Sequence, residues 1–198
     1  MIIGLCGEQG SVKDTVANIL ISEYGFIKLT FASTLKDVVA ILFSWPRDLL
    51  EGLTEESRLW RETVDDFWSA KLSIPSFTPR KALQMIGTDL FRIHFNNDIW
   101  ISIVENKIGA MLKNNPNINI VISDCRFANE FSLIKQFPDS HIIMILREKK
   151  NSINKIAHSS ETEWVNYNFD EILQNDNSID DLKSNLKSLL SSRFYTVS

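Results

Sequence analysis

Gly7-Glu8-Gln9-Gly10-Ser11-Val12-Lys13-Asp14-Thr15 is the stretch that decides the fold. Before it runs an apolar segment, residues 1–6 (MIIGLC), that reads as a buried strand. After it, residues 15–24 carry Val16, Ala17, Ile19 and Leu20 at helical spacing, and Gly25 reads as the helix stop. Strand, glycine-bearing turn, helix is the context that a P-loop, G-x-x-x-x-G-K-[ST], requires. Successive backbone N–H groups of such a loop form a nest for anions, and the helix N-terminus adds its dipole. Gly7, Gly10, Ser11, Val12, Lys13, Asp14 and Thr15 are therefore the candidate phosphate-binding set. Lys13 would reach the β- and γ-phosphates of a nucleotide as a point charge. Two residues depart from the pattern. Val12 stands where the second glycine belongs, adding bulk and stiffness where backbone should approach phosphate. Asp14 stands where a hydroxyl would hold magnesium, although Thr15 follows at once. A turn that merely caps an ordinary helix is the alternative.

Working outward, 26–31 reads as a second strand. Ser33 is a candidate N-cap for a helix over 34–45 that Pro46 ends. Residues 55–68 look helical and acidic. Thr78, with Pro79 at the first helical position, starts a helix running to His94, and another covers 97–114. Strands are expected at 118–123, at 141–146 and, weakly, at 169–173, with helices at 128–136 and 179–192. This order implies a three-layer α/β fold, a parallel sheet of about five strands with helices on both faces. One domain, 1–198, is expected, with a core of 1–45 and 115–198 and a helical region at 46–114. Whether the Trp-rich residues 45–70 form a binding lobe or a partner surface stays open. Ligands in such sheets sit outside the carboxyl ends of the strands.

Composition narrows the class. The 198 residues carry a net charge of -4 and a pI near 5.4, so the total marks no general nucleic-acid binder. Two cysteines, Cys6 and Cys125, make no disulfide framework and suit a reducing compartment. His94, His141 and His158 are far apart, with no zinc-ligand spacing. Neither a targeting segment nor an apolar run long enough to span a bilayer is apparent, so a cytoplasmic protein with no membrane partner is expected.

The stretches "GEQGSVKDT", "FASTLKD", "RKALQMIGTDLFR…W" and "VISDCRFANE" appear in that order. Together they resemble the bacteriophage and large-virus deoxynucleoside monophosphate kinases, enzymes with a P-loop kinase fold. The likeness runs from Ile2 to about Asn177. Family loops look like "GxxGSGKDT", so Asp14-Thr15 matches the family while Val12 departs from it too. The "GTD" and "D-x-R-F-x-N-E" blocks are the specific ones.

The resemblance implies roles. Asp124, ending a strand, would hold magnesium through water or orient the acceptor, with a helix cap as the alternative. Arg126 offers a planar fork for phosphate, and Asn129 and Glu130 would organise the turn. Lys36 would meet the acceptor phosphate or be a solvated lysine. Arg80, Gln84 and Thr88, four apart, would share one helix face, with Arg80 on a phosphate and Gln84 reading a base edge. Gly87 would permit a close approach, with Thr88 and Asp89 as polar readers beside it. Arg92 would be a second clamp or an exterior salt bridge, and Trp100 packing. Arg147 and its basic neighbours would belong to a lid over about 147–162, or to a solvated charge run. Asn175 resembles the family's turn beside the adenine of ATP.

The activity this implies is ATP-dependent phosphorylation of a deoxynucleoside monophosphate, with Mg2+ at Thr15 and Asp124 and with Lys13, Asp124, Arg126 and Arg147 acting on the transferred group. In a virus it would work in the host cytoplasm. Another phosphorylated acceptor, of phosphomevalonate type, and a nucleotide-binding protein impaired by Val12 are the alternatives. Neither the preferred base nor the oligomeric state is given, and the resemblance leaves a homodimer open.

Overall fold

The computed structural model describes residues 1–7, 12–146, 167–175 and 178–194, the last three in backbone only. Five strands form one parallel sheet in the order β2-β3-β1-β4-β5. They are β1 Ile2–Cys6, β2 Ile27–Leu29, β3 Ile120–Ile122, β4 Ser140–Leu146 and β5 Glu171–Gln174. All residues of β1 and β3 are buried, as expected of central parallel strands covered on both faces. In register, Ile2 of β1 stands between Ile120 and Ser140.

On one face, α1 (Lys13–Tyr24) and α8 (Ile179–Phe194) cover the sheet. Val16, Ala17, Ile19 and Leu20 of α1 and Leu182, Leu186 and Leu190 of α8 share a core with Ile3, Leu5, Val121, Ile143 and Ile145. Alternate residues of a strand point the other way. On that side Gly4 lies beneath Ile134 of α7 (Ala128–Lys135). Gly25 closes α1 in the left-handed region at φ 70°, with Gly25 N–H on the Ile21 carbonyl and Phe26 N–H on that of Leu20.

The chain divides into two compact units, 1–30 with 105–198, and 31–104. The expected boundaries lay at 45/46 and 114/115. The difference comes from α2 (Ala32–Phe43), whose buried Leu35 and Val39 enter the core of the second unit. Nor does Ser33 cap this helix. Buried Phe31 precedes it in helical backbone, so packing rather than a side-chain oxygen sets its start.

The second unit contains α2, α3 (Glu55–Glu62), α4 (Asp66–Leu72), α5 (Pro79–Gln84) and the first residues of α6 (Ile99–Asn114). Its centre is aromatic: Phe43 stacks on Trp45 with centroids 4.4 Å apart, and Trp60, Trp68 and Phe77 close around them. Trp45 Nε1 donates to Asp65 Oδ2 at 2.9 Å, and Trp68 Nε1 to the Phe43 carbonyl at 3.3 Å. Three tryptophans of the 45–70 stretch are thus the lobe's core. Thr78 caps α5 by accepting from Lys81 N–H at 3.1 Å, with Pro79 at its first position, as read from sequence.

The expected α-helix to His94 does not continue. From Met85 to Phe95 the backbone is π-helical, closing with Asn96 N–H on the Phe91 carbonyl at 2.7 Å. Trp100 Nε1 donates to the Gly87 carbonyl at 2.9 Å, a lateral partner of the kind that perturbs a helical ladder. The wider turn brings Gly87 and Arg92, five apart, to the buried side. No described helix is long and apolar enough to cross a membrane.

Candidate active site

All five strands are parallel, so their carboxyl ends share one edge of the sheet. Gly7 follows β1 there, Asp124 and Arg126 follow β3, and Asn175 follows β5, its N–H on the Leu146 carbonyl at 2.9 Å. Gly10, Ser11 and Arg147 lie outside the described residues, as does the expected lid.

Val12 precedes α1 with φ 60° and ψ 25°, in the left-handed region. That is the conformation for which glycine is ordinarily used, and a β-branched residue there is strained. Its side chain is half-buried and packs on the apolar core beneath α1. Lys13, the first residue of α1, donates from Nζ to the Gly7 carbonyl at 2.8 Å. Its ammonium is held down to about 8, first by burial and then by the positive charge of Arg126, while Cys6, Asp14 and Asp124 act in the opposite direction. Arg126, Asp14 and Asp124 therefore each lie within electrostatic reach of Lys13. Thr15 is half-buried one residue beyond Asp14. The Asp14 carboxylate pairs with Lys28 of β2 at 2.7 Å. Burial pushes the Cys6 thiol up to about 12 and raises that of Cys125, so both stay protonated and inert.

In the second unit, Lys36 is neither solvated nor isolated. Its Nζ meets Glu51 Oε2 at 2.5 Å, and Arg47 binds the other oxygen of the same carboxylate. Burial works to raise the Glu51 carboxyl, but these two cations hold it below the usual range. Arg80 pairs with Glu62. Gln84 and Thr88 are half-buried and Asp89 is exposed. The close approach at Gly87 is made by Leu35: a Cβ at Gly87 would stand 2.5 Å from Leu35 Cδ2. Arg92 is not on the exterior, being only 7% exposed, and its Nη1 reaches the Asn97 carbonyl at 3.4 Å. The α-helical spacing used to read this stretch could not foresee that inward turn.

The family model of deoxynucleotide monophosphate kinases matches residues 55–186. The chain belongs to this family. A protein of Acanthamoeba polyphaga mimivirus, provisionally named deoxynucleotide monophosphate kinase, is 32% identical over 194 residues, 94% of each chain. The deoxynucleoside-5'-monophosphate kinase of Escherichia phage T5 is 26% identical, over 82% of this chain and 84% of its own. Among solved structures, a dephospho-CoA kinase from Campylobacter jejuni matches 97% of this chain and 96% of its own at 15% identity and a TM-score of 0.42.

One residue of the D-x-R-F-x-N-E block has a definite structural part. Glu130, read only as organising a turn, is 2% exposed and accepts N–H bonds from Arg126 at 2.7 Å and Phe127 at 3.1 Å. The signal was its spacing, four residues after Arg126, at the third position of the helix that follows.

Proposed function

We propose that this chain transfers the γ-phosphoryl group of ATP to a deoxynucleoside monophosphate, giving ADP and the deoxynucleoside diphosphate. Family membership supports the reaction class. The observation that supports the site is that Asp124 and Arg126, after β3, and Lys13, after β1, stand at the same edge of the sheet, with Lys13 within electrostatic reach of both.

An oxygen of the acceptor's 5'-phosphate attacks the γ-phosphorus as the bond from that phosphorus to the β,γ-bridging oxygen breaks, and ADP leaves with the electron pair. This chemistry needs positioning and charge rather than a strong base. The loop backbone and Lys13 hold the donor phosphates. Arg126 offers parallel N–H donors to the phosphoryl oxygens, which carry most negative charge as the bond breaks. Lys36, Arg80, Gln84, Gly87, Thr88 and Asp89 are retained as the acceptor set, Asn175 as a neighbour of the adenine, and Arg147 as a further cation on the transferred group.

The donors present fit magnesium. The Thr15 hydroxyl and the Asp124 carboxylate are hard oxygen ligands, and magnesium on nucleotide phosphates takes only one or two protein ligands, the rest being water and phosphate. Among the described residues no cluster of three or more His, Cys, Asp or Glu offers a protein cage. When bound, magnesium would neutralise part of the phosphate charge.

Two features of Val12 argue against the alternative of a kinase impaired by this residue. The residue already holds the backbone that glycine would supply, and its side chain rests on the core. The viral relatives suggest work in host cytoplasm. A coupled ADP assay with ATP, Mg2+ and each of the four deoxynucleoside monophosphates tests the reaction. Turnover with at least one is expected; none at high enzyme concentration, or turnover only with a phosphorylated non-nucleotide acceptor, overturns it.

A further inference from the structure

Glu130 is the least exposed charged side chain among the described residues. One oxygen, Oε2, accepts from two successive backbone amides, Arg126 N–H at 2.7 Å and Phe127 N–H at 3.1 Å. These amides belong to the turn that carries the strand end β3 into α7. Asp124 lies just before the turn, and Arg126 is within it. Phe127 adopts extended backbone, φ -108° and ψ 149°, and the helix begins at the next residue. Chain direction therefore changes between Arg126 and Ala128, and the carboxylate grips the chain at that change.

We propose that Glu130 is a positioning residue for phosphoryl transfer, acting through Arg126. Its geometry does three things. It fixes the backbone from which the Arg126 side chain leaves, and so the direction of the guanidinium. It occupies amide donors at the entrance to α7 that would otherwise attract an anion, leaving phosphate to the Arg126 side chain. It also adds a negative charge that, like the positive charges of Arg126 and Lys13, lies within electrostatic reach of Cys6. Bonds to an ionised acceptor are roughly twice as strong as neutral ones, so a carboxylate holds this turn more firmly than an amide of the same shape.

The inference rests on the kinase reading, and its test separates the two. Steady-state kinetics with full-length protein compare wild type, E130Q, R126A and the double variant, with thermal melts establishing that each is folded. E130Q is expected to lower kcat/KM for the deoxynucleoside monophosphate about tenfold in the wild-type background and less than about twofold in R126A, because its effect passes through Arg126. The same loss in both backgrounds, or none in either, overturns the proposal. Amide hydrogen exchange at Arg126 and Phe127 gives a readout independent of activity. Faster exchange in folded E130A, with the sheet amides unchanged, is expected; unchanged exchange overturns it. Absence of kinase activity in the wild type would remove the functional reading while leaving this exchange test of the turn intact.

Discussion

Substitutions at Val12 isolate the backbone strain that the loop carries. V12A and V12G both remove the two γ-methyl groups, and so lose most of the same packing on the core beneath α1, of order 1 kcal/mol for a half-buried valine. They differ mainly in backbone preference, glycine lacking only the β-methyl besides. At an ordinary helical or extended position, glycine is less stable than alanine by about 0.5–1 kcal/mol. At φ 60°, any L-residue bears a cost of roughly 1–2 kcal/mol that glycine escapes. The difference leaves V12G more stable than V12A by about 0.5–1 kcal/mol, the reverse of the usual order. For a chain of this size that is about 1–4 °C in Tm, readable in parallel thermal melts and urea titrations. Against wild type, strain relief and lost packing nearly cancel, so V12G should lie within about 1 kcal/mol. ATP affinity, measured by calorimetry, should change less than about threefold, since the side chain faces the core. If V12A proves the more stable of the pair, Val12 is not left-handed and the reasoning fails. If V12G binds ATP tenfold more tightly or better, valine does obstruct the phosphates.

Lys13 should couple ATP binding to protonation. Its folded value of about 8 lies below the ordinary 10.5, so stability from this group increases as pH rises between those values. Phosphate oxygens favour the charged form, so ATP binding at about pH 8.5 should take up most of a proton, seen as a buffer-dependent enthalpy that K13M abolishes; proton release or none would contradict this. G87A forces a Cβ against Leu35 and should cost about 1–3 kcal/mol in urea unfolding, partly recovered in the double variant with L35A; a neutral G87A would refute the close packing. K36M should raise the acceptor KM about tenfold, whereas E51Q, which loosens Lys36, should leave it level or lower. If K36M lowers Tm and leaves KM unchanged, Lys36 belongs to the lobe's framework and leaves the acceptor set.

The parallel strands and the helix termini were legible because they depend on local rules. Ile2–Cys6 and Ile120–Ile122 are apolar without alternation, which only a strand covered on both faces can use. Gly25 and the Thr78-Pro79 pair signal helix ends by backbone dihedral and capping oxygen. The candidate phosphate loop was read from the spacing between those elements. What escaped was set by contacts between residues distant in the chain. The start of α2 depends on Phe31 and Leu35 being buried, not on the nearby Ser33. The π-helical turns accompany a bond from Trp100 to Gly87, thirteen residues away, and they turn Arg92 inward against its α-helical spacing.

The sequence by itself determined the family, the succession of strands along the chain and where a phosphate loop is expected, because motifs and periodicities are local and survive without coordinates. Tertiary structure alone decided that Val12 stands left-handed with its side chain on the core, that Lys36 meets Glu51, and that Glu130 grips the Arg126 turn. Each is a matter of which partner a side chain finds once the chain has folded, and a composition of carboxylates, lysines and valines admits many such pairings until packing selects one.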